Sequence, residues 1–412
     1  MMSRFKWFLA VILVFTMVVS LAGCGSQASN NNNNSAQSQV KEILIGSIHP
    51  MTGSMAYEGK AITNAAQLAV DEINAAGGIK SLGGAKLKLL VGDNQGLPDK
   101  AASEAQRLIR EGAVALIGTY TSSATVTATQ EAEKAQTPFL ITVAATTNIQ
   151  ERGFKYSFRI QPNADTFSND FLRYMKEIKT PDIKTIAIVH ENSLFGTYFA
   201  DYVKKNIAKA DLTVVGDIPY AASTATLSSE VTKLAGLNPD LVVGVGYYRD
   251  QALLMKAIRE RNLKFKGIVG IANGAISDPK IIQDLGQGAE GLMDVNYRWN
   301  PNSQASEKVL AAYKEKFNDN MSPHAMFGYT AIKVLADSLE RAASTDKNKL
   351  RDAIAQTNFT NHILPQDAIQ FNDKGENINA QAVLIQISSL TVKNYKKLES
   401  PVFARCSSFF VF

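Results

Sequence analysis

The sequence predicts an α/β protein made of parallel sheets with helices on both faces, folded as two lobes. Strand-like and helix-like periods alternate almost without interruption from Glu42 to Gly286. Repeated βα units of this kind place successive strands parallel, with each helix as a crossover. The alternation runs through one set of units and restarts near Asp165. A chain of 412 residues is long enough for two such cores.

Each element has its own signal. "EILIGSI" (Glu42–Ile48) is an apolar strand. The helix "ITNAAQLAVDEINAAGG" follows, with Ile62, Ala66, Ala69, Val70 and Ile73 on one face and Gly77–Gly78 as its stop. "KLKLLVGD" alternates with period two, and "PDKAASEAQRLIREG" is a helix opened by Pro98 and closed by Gly112. Strand "AVALIGTY", helix "SSATVTATQEAEKAQ" and strand "PFLITV" complete the first set. The second set reads helix "DTFSNDFLRYMKEI", strand "KTIAIVHE", helix "GTYFADYVKKNIAKA", strand "LTVVGDIPY" and helix "TLSSEVTKLAG". Strand "DLVVGVGY", helix "DQALLMKAIRERN", strand "FKGIVGIA" and helix "DPKIIQDLG" follow. Two long helices, "SEKVLAAYKEKFND" and "AMFGYTAIKVLADSLERA", precede a strand-like tail, "AIQFNDKGENINAQAVLIQI".

The N-terminus is built for export. Arg4 and Lys6 precede the uncharged run Trp7–Leu21, the layout of a secretory signal, and the run falls short of the about 20 apolar residues of a spanning helix. "LAGC" (Leu21–Cys24) resembles the bacterial lipobox, so residues 1–23 are expected to be a leader and Cys24 to carry lipid. One acyl chain gives about 0.8 kcal/mol per buried CH₂, so durable attachment needs more than one. Residues 24–39, with "GSQASNNNNNSAQSQ", have no apolar face to bury and read as a polar tether. The remaining cysteine, Cys406, has no partner once Cys24 is lipidated. With 43 Lys and Arg against 38 Asp and Glu, nucleic acid is excluded as the main partner.

Open parallel sheets bind ligands at the carboxyl ends of their strands. Those ends read "SIHPMTGSMAYEG", "GTYTSSAT", "TVAATT", "HENSLFG", "GYYRD" and "GIANGA", rich in Ser, Thr, Gly, Ala and Tyr. Such walls suit a small-molecule cleft. The first is no phosphate loop: Gly53 and Gly59 enclose five residues, and Ala61 stands where a Mg²⁺-binding hydroxyl would follow Lys60. In "GVGYYRDQ" Arg249 replaces the third glycine of a dinucleotide motif, leaving Tyr247 and Tyr248 as aromatic walls. Ser122 or Ser123 is expected to cap its helix, whose N-terminus also suits an anion. Ala144 and Ala145 allow close approach, and Thr146 or Thr147 adds a hydroxyl. His49, His190, His324 and His362 lack metal-ligand spacing, so neither metal nor cofactor is expected. His49 and His190 are read as polar loop residues at strand ends.

Together, "GSIHPMTGSMAYEGKAITNAAQLAVDEINAAGGI", "YTSSAT", "ITVAATT", "ERGFKYSFRIQP", "IAIVHENSLFG" and "FNDKG" resemble the type I periplasmic-binding-protein family of branched-chain amino-acid ABC transporters. The resemblance implies two Rossmann-like lobes joined by three crossover strands, near Gln161, Asn296 and Phe371, in a Venus-flytrap arrangement. One lobe would comprise 40–161 and 296–371, the other 162–295 and 372–412. Ser122, with neighbouring Tyr120 and Thr121, would hold a ligand carboxylate. Ala144, Ala145 and Thr146 would meet both carboxylate and ammonium. Phe195 and Tyr247 would come from the second lobe, and Tyr57 or Glu58 would face the ligand from the first.

One departure matters. The family carries a Glu for the ligand ammonium where this chain reads Ile271, Ala272, Asn273, Gly274. Asp250, Glu191 or Glu58 are candidates to replace it, and leucine, isoleucine and valine are not expected to be the best ligands. The resulting expectation is a monomeric, lipid-anchored protein that delivers an amino acid or related carboxylate to an ABC permease. A solute sensor uses the same features. An enzyme on this frame lacks a nucleophile–base pair, and a DNA-binding regulator would need a helix-turn-helix and no export signal.

Overall fold

The computed structural model describes residues 41–222 and 224–394. The leader, Cys24 and its tether, Cys406 and the apolar ending lie outside the described residues. Strands β1 (Glu42–His49), β2 (Lys86–Asp93), β3 (Ala115–Gly118), β4 (Phe139–Ile141) and β5 (Ser157–Arg159) form a parallel sheet in the order β2-β1-β3-β4-β5. Strands β6 (Thr185–Glu191), β7 (Thr213–Tyr220), β8 (Leu241–Val245), β9 (Gly267–Ile271) and β10 (Met293–Asn296) repeat that pattern in a second sheet. A short ribbon, β11 (Asn358–Phe359) with β12 (Ile369–Gln370), stands apart from both. The tail strands β13 (Val383–Ser388) and β14 (Thr391–Asn394) add an antiparallel edge beside β10. The fold class is therefore the one expected: two α/β lobes joined by crossover segments.

Apolar periodicity explains the helices. Ala56–Ala75 buries Ile62, Ala66, Ala69 and Val70, half-buries Ile73 and packs against Ala325–Ala342. Gly53 in the first loop and Gly59 in the first turn of the helix that follows both have steric reasons. Gly53 adopts φ +85°, which an L side chain resists, and a Cβ on Gly59 would collide with the Pro50 carbonyl. The helix Lys347–Ala355 was not foreseen; it is short and strongly polar, with only Leu350, Ala353 and Ile354 buried.

In each sheet the order reverses beside the first strand of the set, β1 against β3 and β6 against β8. Such reversals open a crevice at the strands' carboxyl ends. The first crossing, after β5, ends where Asn163 accepts a hydrogen bond from Thr166 N at 3.0 Å and caps Ala164–Ile178. The second follows β10. The third lies between Asn379 and Val383, later than Phe371. The reason is Arg159, whose N–H donates to the Gly375 carbonyl at 2.7 Å, while Asn377 Nδ2 donates to the Ile160 carbonyl at 2.7 Å. These bonds keep residues 375–377 on the first sheet.

The Arg159 side chain is fully buried. Its guanidinium donates to the Ala144 carbonyl at 3.0 Å and the Thr146 carbonyl at 2.8 Å, and its Nε lies 3.2 Å from a Glu376 oxygen without hydrogen-bond alignment. One residue thus joins the loop after β4 to the "FNDKG" turn. Removing one member of a buried ion pair leaves the other uncompensated and costs about 3–5 kcal/mol. Arg159→Met is expected to lower stability by about that amount, measured by urea denaturation, and Glu376→Gln in the same chain should recover part of the loss.

Candidate functional site

The strand ends converge on a small enclosed cavity between the sheets. Tyr120 follows β3, Val143 and Ala145 follow β4, and Gln161 lies on the first crossing. From the opposite side come Phe195, Gly246, Tyr247 and Ala272. Tyr297 on the second crossing and His324 at the start of Ala325–Ala342 close the ring. Tyr120 and Tyr247 meet across the lobes at 5.4 Å between centroids, and Phe195 stacks on Tyr247 at 5.5 Å. His324 meets Tyr120 at 5.3 Å and Tyr297 at 5.5 Å. The space enclosed is about 20 Å³, room for about one water, so solute entry requires the lobes to part.

Polar atoms line this cavity without partners. Gln161 donates its amide N–H to the Val143 carbonyl, but its Oε1 has no hydrogen-bond partner among the described residues. Nor does His324 Nδ1. The Tyr247 hydroxyl lies near Ser193 without a well-formed bond to it. Burial lowers His324 to about 3, so its imidazole is neutral. Buried polar groups left unpaired are costly.

Ser122 and Thr146 meet next to Tyr120 and Ala145 but are not among the residues lining the cavity. Ser122 opens the helix Ser122–Lys134, and its Oγ accepts from Thr146 N at 3.4 Å. The Thr146 hydroxyl is buried without a partner. Neither serine caps the helix as expected. Thr121 does, accepting from Ala124 N at 3.4 Å while donating to the Gly96 carbonyl at 3.2 Å, which leaves Ser122 turned inward. The Ala144 carbonyl points to Arg159.

The other expected residues sit at one remove. Asn273 is fully buried and spent on its own loop: Nδ2 donates to the Gly244 carbonyl at 3.1 Å and to Gln251 Oε1 at 2.7 Å, and Oδ1 accepts from Ala275 N at 2.9 Å. Tyr57 reaches across the mouth to Asp278 at 3.2 Å and packs on Tyr248 at 5.4 Å. With Glu58, Tyr248 and Lys280 it lines an open recess of about 450 Å³ beside the cavity. Of the histidines, His49 is buried among Ser47 and Thr142, and His190 lies 3.0 Å from Asp217; both are strand residues, not loop residues. His324, Tyr297, Gln161 and Phe167 were missed as wall residues, because they lie on crossings or helices rather than in the strand-end loops. Only the expected crossovers near Gln161 and Asn296 pointed near two of them, Gln161 and Tyr297.

Acidic groups dominate the contact between lobes. Glu58 accepts from Tyr120 Oη at 3.4 Å and, across the lobes, from Tyr248 N at 3.3 Å. Burial pushes its carboxyl up to about 7, with Asp278 and Asp250 adding repulsion. Burial likewise raises Asp250 and Asp278 to about 6. Among the described residues, no helix is long and apolar enough to cross a membrane, and no group of three His, Cys, Asp or Glu side chains could hold a metal ion.

Two parallel-sheet lobes closing on an aromatic-walled cavity at their switch points define a solute-binding protein of the hinged, two-lobed class. Residues 42–391 match the family described as "Periplasmic binding protein", and the chain belongs to it. It is 31% identical over 76% of its length to a "Leu/Ile/Val-binding protein homolog 8" of Brucella abortus, of which it covers 80%. The fold matches a leucine-binding protein of Thermotoga maritima with a TM-score of 0.75 at 22% identity, covering 86% of this chain and 98% of that one. It also matches a branched-chain amino-acid transporter substrate-binding protein of Streptococcus pneumoniae in complex with isoleucine, with a TM-score of 0.75 at 23% identity and coverage of 86% and 98%. The protein is an extracytoplasmic solute-binding component of an ABC importer, a non-catalytic class that takes a small ligand between its lobes.

Closure should depend on pH. The Glu58 carboxyl is raised from an ordinary value of 4.5 to about 7 when the lobes meet, so between those values the closed form holds more protons. Acidification through that window therefore favours closure, and the effect is lost as pH rises past about 7. Small-angle scattering of the ligand-free protein should show a smaller radius of gyration at about pH 5 than at about pH 8. Glu58→Gln should reduce the difference, leaving the part that Asp278 and Asp250 carry.

Proposed function

We propose that the solute is an amino acid or a related small carboxylate, and that a monomer delivers it to ABC permease subunits. In this reading Ser122, Ala144 and Thr146 hold the carboxylate end, and Tyr120, Ala145, Phe195 and Tyr247 wall the remainder. Tyr57, Thr121 and Asn273 support the site through its mouth, its helix cap and its second-lobe loop. The observation that carries the reading is the Ser122–Thr146 corner, where a helix N-terminus, a hydroxyl and a backbone N–H converge at 3.4 Å. Free N–H groups at a helix start favour a carboxylate. The names of the relatives, Leu/Ile/Val-binding proteins among them, point the same way.

A hydrogen bond to a charged group contributes about 1.5–3 kcal/mol. Ser122→Ala should therefore weaken binding roughly 10- to 100-fold in calorimetry with whichever member of an amino-acid and carboxylate panel binds the native chain. Undiminished affinity would remove Ser122 from the site.

We further infer that Cys24 carries lipid and holds the chain at the outer face of the bacterial cell membrane, or within the periplasm. "LAGC" after the apolar leader supports this. Cys24→Ser should leave the chain unacylated, read by intact mass and by loss of detergent-phase partitioning. A lipid-modified mass in that variant would sink the assignment.

A further inference from the structure

The cavity walls Tyr247 and Tyr297 come from separate places, the start of Tyr248–Glu260 and the second crossing. The main-chain N–H of each donates to a side chain. Tyr247 N donates to Asp250 Oδ2 at 3.3 Å, and Tyr297 N donates to Asn296 Oδ1 at 2.9 Å. Those two acceptors are the ends of one hydrogen-bonded relay. Asn296 Nδ2 donates to the Asn273 carbonyl at 3.0 Å, and Asn273 Nδ2 donates to Gln251 Oε1 at 2.7 Å. Gln251 Nε2 donates to Tyr220 Oη at 2.6 Å, and Tyr220 Oη donates to Asp250 Oδ2 at 2.5 Å.

The relay crosses the second sheet at its strand ends, from β10 through β9 and the helix after β8 to β7. Each of its side chains is at most 4% exposed. Asp294 braces the middle, accepting from Asn273 N at 3.3 Å and from Asn296 Nδ2 at 2.8 Å. The glycines of "GVG", which serve no dinucleotide, make room for the relay. A Cβ on Gly246 would strike Tyr220 Oη, and one on Gly244 would strike Gln251 Oε1. The side chain at 273 must donate to Gln251, which an ionised Asp or Glu cannot do. The asparagine that departs from the expected glutamate is thus fitted to the relay.

Neither Tyr220 nor Gln251 lines the cavity. In a buried network each member orients the next, and losing one leaves its neighbours unsatisfied. We propose that Tyr220, Gln251 and Asn273 are positioning residues: their relay holds Tyr247 and Tyr297 at one spacing, and that spacing sets which solute sizes the cavity accepts. Because Tyr297 stands on a crossing, the relay keeps this wall with the second lobe while the first lobe moves away.

This inference rests on the reading that solute binds between the lobes, but its first test needs no solute. Amide hydrogen exchange of the ligand-free protein reads both ends, since the Tyr247 and Tyr297 N–H groups donate to the relay. Tyr220→Phe removes one oxygen at the Asp250 end. It should speed exchange at both amides at least roughly 10-fold, the scale of one buried hydrogen bond, and leave the amides of β3 on the other sheet unchanged. Asn273→Asp, which keeps the side chain's size, should do the same from the middle. The double variant should add little to either single one. Circular dichroism shows which variants fold, and either single variant suffices. Acceleration at Tyr247 alone, at neither amide, or equally throughout β3 would overturn the proposal. Calorimetry with L-valine and L-leucine, which differ by one methylene, then reads the spacing. In each variant the ratio of the two affinities should move toward one, and an unchanged ratio would overturn the size role. If neither amino acid binds the native protein, the amino-acid reading fails and the exchange result alone decides the relay.

Discussion

The buried guanidinium of Arg159 is the constraint on which the site depends. A charge with no exposed surface must be compensated, and here the compensation comes from the backbone it organises. Its two N–H donors hold the carbonyls of Ala144 and Thr146, so the loop after β4 presents Thr146 N toward Ser122. Its backbone bond to Gly375 and its charge contact with Glu376 bring a turn more than two hundred residues away in sequence against the same loop. The third crossing starts just beyond that turn. The Arg159 side chain thus shapes the loop after β4, while its backbone N–H and the Asn377 amide hold the turn before the third crossing.

Closure works against a second constraint. Glu58, Asp250 and Asp278 all lie in or beside the contact between lobes, and burial raises each of them. Apolar and aromatic contacts pull the lobes together: Tyr57 on Tyr248, Tyr120 on Tyr247. Like charges resist. A balance of this kind leaves open and closed forms close in free energy, which is what a binding protein needs if a small solute is to shift the population. A closed form held too strongly would never admit the solute, since the enclosed space of about 20 Å³ is far below the few hundred that a small-molecule site requires.

Local pattern made much of the molecule legible in advance. The alternation of periods identified β1 to β4 and β6 to β9, because strand and helix periodicities are properties of neighbouring residues; the short β5 and β10 carried too few residues to be read that way. The strand-end rule then pointed to Tyr120, Ala145, Phe195 and Tyr247, and those four do line the cavity. It failed for Gln161, Tyr297 and His324, which reach the cavity from two crossings and a distant helix. Nothing in their immediate neighbours encodes that meeting. The capping assignment failed for a related reason: Thr121, Ser122 and Ser123 are chemically equivalent as caps, and packing against Gly96 selected Thr121.

By itself, the sequence determined the fold class, the family and the loops from which the site is drawn, since these follow from local periodicity and from motifs that are contiguous in the chain. Only the tertiary structure decided which polar groups are free to meet a solute. Asn273, Asp250 and Glu191 are as polar as Glu58, yet each is consumed by a helix cap or a loop of its own lobe. Glu58 instead bridges the lobes through Tyr120 and Tyr248, because hydrogen-bond satisfaction is a property of the folded environment and not of residue type.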